Sequence, residues 1–120
     1  MPSSFDAAAL VKEYGGREFV RELARLLIES APPQMDAIRR ASETRDGEAL
    51  RAACHKLRGS LAAFGVPEVV QILRSLEGVG TDPLMMDADG LISTLAGNVQ
   101  TLCEDARTWL RGRAPELPRP

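Results

Sequence analysis

Apolar residues near the C-terminus recur at alternating steps of three and four: Ile92, Leu95, Val99, Leu102, Ala106 and Trp109. That spacing draws one stripe along a helix and describes the seam of an antiparallel helical bundle. The expected helix covers 88–111, with Leu91 and Leu110 widening its apolar face and Gly112 closing it. A stripe this long needs partners, and the rest of the chain supplies them at the same period. Strand patterning is absent, in keeping with an aromatic content of 4% and few threonines.

The other elements follow from their start and stop signals. Ser3 with Asp6 three residues later resembles a capping box, opening a short helix to about Lys12 that Gly15-Gly16 stops. A helix is expected over 17–30, with Phe19, Val20, Leu23, Leu26, Leu27 and Ala31 as a broad inward face. Pro32-Pro33 interrupts the pattern, because proline removes a donor and disfavours helix in the residue before it. Proline also suits the first position of a new helix, and Met35, Ile38 and Ala41 continue the stripe. The pattern leaves two helices and one kinked rod both open. Asp46 is a fitting N-cap for a helix over 47–64, ended by Gly65. Pro67 opens the next, over 67–77, with Val69, Ile72, Leu73 and Leu76 inward, and 78–83 has loop composition.

The expected fold class is all-α: an antiparallel up-down four-helix bundle with an additional N-terminal helix or helices. Residues 1–112 form the bundle domain, and the Pro-rich stretch 113–120 is expected to be a disordered tail. A chain of 120 residues is long enough for one core and too short for two.

Composition excludes several function classes. The net charge of −2 argues against nucleic acid as a partner. No apolar run approaches the ~20 residues of a membrane span, and the N-terminus lacks the pattern of a signal peptide. No membrane partner is expected, and the expected location is the cytoplasm. Cys54 and Cys103 fit buried thiols better than a disulfide. With one histidine and no clustered thiol or carboxylate around it, no metal site is expected. Charge is uneven: Arg39, Arg40, Arg45, Arg51, Lys56 and Arg58 make one segment basic, while 75–106 contains no lysine or arginine. Charge alone usually marks a solvated helix face. Polar outer faces favour a monomer.

The single histidine lies in Cys54-His55-Lys56-Leu57-Arg58-Gly59-Ser60. At about 100° per residue, Leu50, Cys54, Leu57, Leu61 and Phe64 fall within roughly 40° of one direction, the core side. His55 points about 140° away from it. Arg51, Arg58, Gly59 and Ala62 share its face, Ala52 also keeps that surface low, and Lys56 projects to the other outer flank. A glycine inside a helix costs roughly 1 kcal/mol relative to alanine. On an outer face the domain's own core does not explain Gly59, whereas close approach of a partner does. An imidazole has a pKa of about 6.5, so near pH 7 it is mostly neutral and nucleophilic. An exposed imidazole, a cation one turn away and a flat approach surface suit acceptance of a phosphoryl group.

These residues resemble the histidine-containing phosphotransfer (HPt) domain family, whose motif is His-x-Leu-Lys-Gly-Ser. Here it is His55-Lys56-Leu57-Arg58-Gly59-Ser60, with Gly65 at the helix end. Gly15-Gly16, Glu18-Phe19 and Glu22-Leu23 are similar to the family's N-terminal segment, and Leu76-Glu77 to its Leu-Glu on the following helix. The resemblance runs from Phe5 to Leu110. It implies that His55 is the phosphoacceptor, that Arg58 replaces a lysine contacting the phosphoryl group, and that Gly59 permits docking. It implies that Glu77, with Gln71 a weaker candidate, orients the imidazole. Arg51, Ala52, Lys56, Gly59 and Ala62 would form the partner surface. Arg58 keeps the lysine's charge and changes its shape, Leu61 stands where a second serine is common, and Arg17 replaces a usual acidic residue.

The implied function is a phosphorelay intermediate of two-component signalling. A phosphoryl group would pass from a receiver-domain aspartate to His55 and on to another receiver. The implied partners are response-regulator receiver domains or a hybrid sensor kinase. No cofactor is expected on this chain, the Mg²⁺ belonging to the receiver. The chain shows neither a P-loop nor a Gly-rich ATP-binding region, so it is expected to be a phosphocarrier and not an enzyme. Two alternatives remain open at the level of sequence. One is the histidine-bearing domain of a larger sensor or chemotaxis-type kinase. The other is a helical scaffold that is never phosphorylated.

Overall fold

The computed structural model describes residues 5–82 and 88–112. Among them the chain forms α-helices, one 3-10 turn and no strand. The helices are α1 (Ala7–Tyr14), α2 (Arg17–Glu43), α3 (Gly47–Leu61), α4 (Pro67–Gly80) and α5 (Ala88–Leu110). The 3-10 turn, Ala62–Phe64, joins α3 to α4. α2, α3, α4 and α5 form a closed ring in which each helix lies against the next and α5 returns to α2. This is the expected four-helix bundle, with α1 as the additional N-terminal helix.

α1 starts differently from the capping-box expectation. Asp6 is itself the N-cap, accepting from the Ala9 amide at 3.0 Å. Ser3 lies outside the described residues. The helix runs past Lys12 to Tyr14, where Gly15 takes a left-handed φ of 79°. Phe5 is buried at the end of the bundle, between Phe64 at 6.1 Å and Trp109 at 5.5 Å between centroids. Phe5 and the buried Ala7 and Leu10 of α1 together cover that end of the four-helix core.

α2 is one continuous helix that carries Pro32 and Pro33 within it. Each interior proline costs about 3 kcal/mol in an isolated helix. Both are exposed here, on the side of the helix away from the core. Val20, Ala24, Leu27, Ala31, Met35, Ile38 and Ala41 form an uninterrupted buried stripe across the proline pair. Burial of that stripe outweighs the local penalty. The stripe is narrower than expected. Phe19 and Leu26 are not inward: they are 50% and 58% exposed.

α3 begins at the Asp46 cap, whose carboxylate accepts from the Ala49 amide at 3.0 Å. Its α-helical part ends at Leu61, earlier than expected, and tightens into the 3-10 turn before Gly65 adopts a left-handed φ of 59°. α4 extends to Gly80, three residues beyond the expected end, so the first part of the expected loop is helical. The glycines explain this. A Cβ at Gly80 would sit 2.6 Å from the Gly47 carbonyl oxygen, and one at Gly47 would collide with the Gly80 carbonyl. Two backbones can meet this closely only where both residues lack a side chain. The pair draws the C-terminal end of α4 onto the start of α3.

The core is apolar throughout. Among the described residues no polar or charged residue is buried. Cys54 and Cys103 are buried free thiols, and burial, aided by the charge of Glu77, pushes the Cys54 thiol up to about 12. The tail expected over 113–120 lies outside the described residues.

Candidate phosphoacceptor site

α3 sets the site by its register. Leu50, Cys54, Leu57 and Leu61 are buried, which turns the other side of the helix outward. The His55 side chain is 70% exposed. Arg58, one turn later, is 27% exposed, and Glu77 of α4 is 18% exposed. The Gly47–Gly80 contact holds α4 close enough for Glu77 to reach across to α3.

Three side chains meet there. Arg58 Nε donates to Glu77 Oε2 at 2.8 Å, and Arg58 Nη2 lies 3.4 Å from Glu77 Oε1. Arg58 Nη2 also donates to His55 Nδ1 at 3.1 Å. Glu77 Oε1 is 3.8 Å from the same nitrogen, beyond hydrogen-bond length. The guanidinium thus spans the carboxylate and the ring. The hydrogen bond from Arg58 holds the Glu77 carboxyl below its ordinary range, with the charges of Arg58, His55 and Arg51 adding to it and partial burial opposing. Glu77 in turn raises Arg58.

The flanking residues divide into two groups. Arg51, Ala52, Lys56 and Gly59 are exposed on α3, and a Cβ at Gly59 would meet no atom within 4 Å. The domain therefore has no internal need for glycine at that position. Ala62 is exposed, but it sits in the 3-10 turn and not on the α-helical face of His55. Gln71 is exposed on α4 and hydrogen-bonds neither His55 nor Arg58. Arg17 lies with its guanidinium 5.5 Å from the Trp109 ring centroid, so its charge rests against α5.

Sequence reasoning missed an exposed apolar patch. The Tyr14 and Phe19 rings meet at a tilt of 49°, with centroids 5.4 Å apart, and the Tyr14 hydroxyl donates to the Ala63 carbonyl at 3.2 Å, beside the end of the histidine helix. Leu26 lies seven residues after Phe19, on the same face of α2. The missed signal was the width of the apolar arc: eight apolar positions within 19–31 exceed what one buried seam uses.

A cavity of about 200 Å³ lies between α2 and α5, lined by Met35, Arg39, Val99 and Cys103 among others. None of the residues around His55 borders it. His55 stands on an open face. Among the described residues no cluster of candidate metal ligands occurs, and no described helix is long and apolar enough to cross a membrane.

The Hpt domain family model matches residues 22–109, from the first turns of α2 through Trp109 of α5 and across the whole four-helix ring. The chain belongs to the Hpt domain family. Neither the curated proteins nor the solved structures gave a match. Hpt domains are phosphocarrier modules of two-component signalling that interact with receiver domains and kinases. The match begins at Glu22, so the resemblance at Gly15-Gly16 and Glu18-Phe19 falls before it.

Proposed function

We propose that this Hpt domain is a phosphorelay intermediate with His55 as its phosphoacceptor. One observation carries the reading: the single histidine stands on an open helix face, bracketed by the Arg58–Glu77 pair. The Nε2 lone pair attacks the phosphorus of a receiver's aspartyl phosphate. The N–P bond forms, the P–O bond to the carboxylate breaks, and the aspartate leaves as its anion. The second transfer runs the same step in reverse toward another receiver. Arg58 contacts the phosphoryl oxygens, and Glu77 orients the ring and meets its positive charge.

The chain brings no cofactor to this step, and Mg²⁺ sits on the receiver. It carries no ATP site of its own and does not phosphorylate itself. It acts in the cytoplasm as a monomer. The receiver docks over Arg51, Ala52, Lys56, Gly59 and Ala62, with Tyr14, Phe19 and Leu26 adding an apolar margin. Exposed apolar residues near the end of the histidine helix favour a protein partner over a small molecule.

Incubation with a phosphorylated receiver labels the wild type with acid-labile, base-stable phosphate and leaves His55→Gln unlabelled. Equal labelling of that variant sinks the proposal. Labelling only by an ATP-binding kinase domain, and by no receiver, replaces it with the larger-kinase reading.

A further inference from the structure

We propose that Arg58 locks His55 at rest in the tautomer that cannot accept a phosphoryl group, and that an incoming anion releases it by drawing the guanidinium away. The inference rests on the phosphoacceptor reading of His55.

A guanidinium has only donors and stays charged at any relevant pH. Its contact with His55 Nδ1, at 3.1 Å, therefore requires Nδ1 to supply a lone pair. In a neutral ring the proton then sits on Nε2. Neither nitrogen is free to attack: the Nδ1 pair is engaged by Arg58, and Nε2 carries hydrogen. Glu77 does not correct this. Both of its oxygens face Arg58, and Oε1 stays 3.8 Å from Nδ1. Arginine is suited to the lock, because its planar fork reaches the carboxylate and the ring together, which a single ammonium does less well.

Release follows from the same three groups. A phosphoryl group near the ring offers Arg58 an anionic partner in place of a neutral nitrogen. Once the guanidinium leaves Nδ1, the exposed ring gives up the Nε2 proton to water and takes one from water at Nδ1. Nδ1–H then donates to Glu77 Oε1, which has only to close from 3.8 Å to hydrogen-bond length. Nε2 now holds the free pair. As it bonds to phosphorus, the positive charge arising on the ring lies against the ionised Glu77. The domain thus rests mostly in the unreactive tautomer until a phosphoryl donor is docked.

The full chain contains one histidine, so its ring nitrogens give a single set of ¹⁵N signals. Two-bond ¹H–¹⁵N spectra are recorded above about pH 8, where an imidazole is neutral. In the wild type, Nδ1 shows the unprotonated signature and Nε2 the protonated one. Arg58→Ala moves the ratio toward Nδ1–H by about tenfold or more, the factor that a charge-assisted hydrogen bond carries. Arg51→Ala removes a nearby cation that does not hydrogen-bond the ring, and leaves the ratio unchanged. A wild-type ring protonated at Nδ1, an unmoved ratio in Arg58→Ala, or an equal shift in Arg51→Ala overturns the lock. The spectra need no phosphate donor, so they are independent of the relay test. A chain that accepts phosphate yet rests as Nδ1–H loses the lock and keeps the relay role.

Discussion

At the scale of single residues, Glu77 and Gly59 separate function from stability. Glu77 is held ionised below the ordinary carboxylate range, first by its hydrogen bond from Arg58. A depressed carboxylate pKa stabilises the fold above the unfolded value, and that stabilisation is lost as pH falls through the folded value. The urea midpoint of Glu77→Gln should therefore lie below that of the wild type at about pH 7, with the gap closing toward about pH 3. A gap that widens on acidification contradicts the pairing. Gly59 makes the opposite case. It meets no atom within 4 Å, so Gly59→Ala should raise stability by about 0.5–1 kcal/mol in urea melts. Phosphotransfer from a receiver should nevertheless slow. Unchanged transfer would show that close approach at Gly59 is not needed.

At the scale of elements, the site depends on how α3 and α4 meet. Alanine normally stabilises a helical position relative to glycine by about 1 kcal/mol. At Gly80 the sign should reverse, because the new methyl runs into the Gly47 carbonyl and the base of Arg51. Gly80→Ala is expected to cost about 1–3 kcal/mol, read as a lower thermal midpoint. It should also loosen the Arg58–Glu77 pair, which the pH dependence of that midpoint reports. A stabilised Gly80→Ala would mean that the helices are free to part. α2 shows a different balance. Its prolines forfeit two helical hydrogen bonds, and the buried stripe from Val20 to Ala41 carries the helix through.

At the scale of the whole molecule, the bundle keeps an apolar interior among the described residues and carries its candidate site outside. Phe5, just before α1, packs against Phe64 and Trp109 at one end, and Tyr14 at the end of α1 meets Phe19 of α2 at the surface beside Ala63. Phe19 and Leu26 are exposed, so Phe19→Ser with Leu26→Ser should change stability by less than about 0.5 kcal/mol each. The proposed docking margin predicts that the KM for a phosphorylated receiver rises several-fold while kcat is kept, the pattern of side chains that meet a partner and not the phosphoryl group. A large loss of thermal stability would instead place them in the core.

The sequence by itself determined the helical class, the bundle architecture, and the outward direction of His55, Arg58 and Gly59. Each follows from local periodicity, which backbone geometry imposes on any helix. Glu77 was legible only through resemblance, since no spacing on one helix says which residue of another lies opposite. Tertiary structure alone decided the continuity of α2, the exposure of Phe19 and Leu26, and the meeting of Gly47 with Gly80. These depend on the net burial of surfaces brought together from distant parts of the chain, and that burial outweighs local propensity. The hydrogen bond from Arg58 to His55 Nδ1 belongs to the same group. The motif supplies a cation one turn from the histidine, but the anchoring of that cation by Glu77 across the helix pair decides which ring nitrogen it meets.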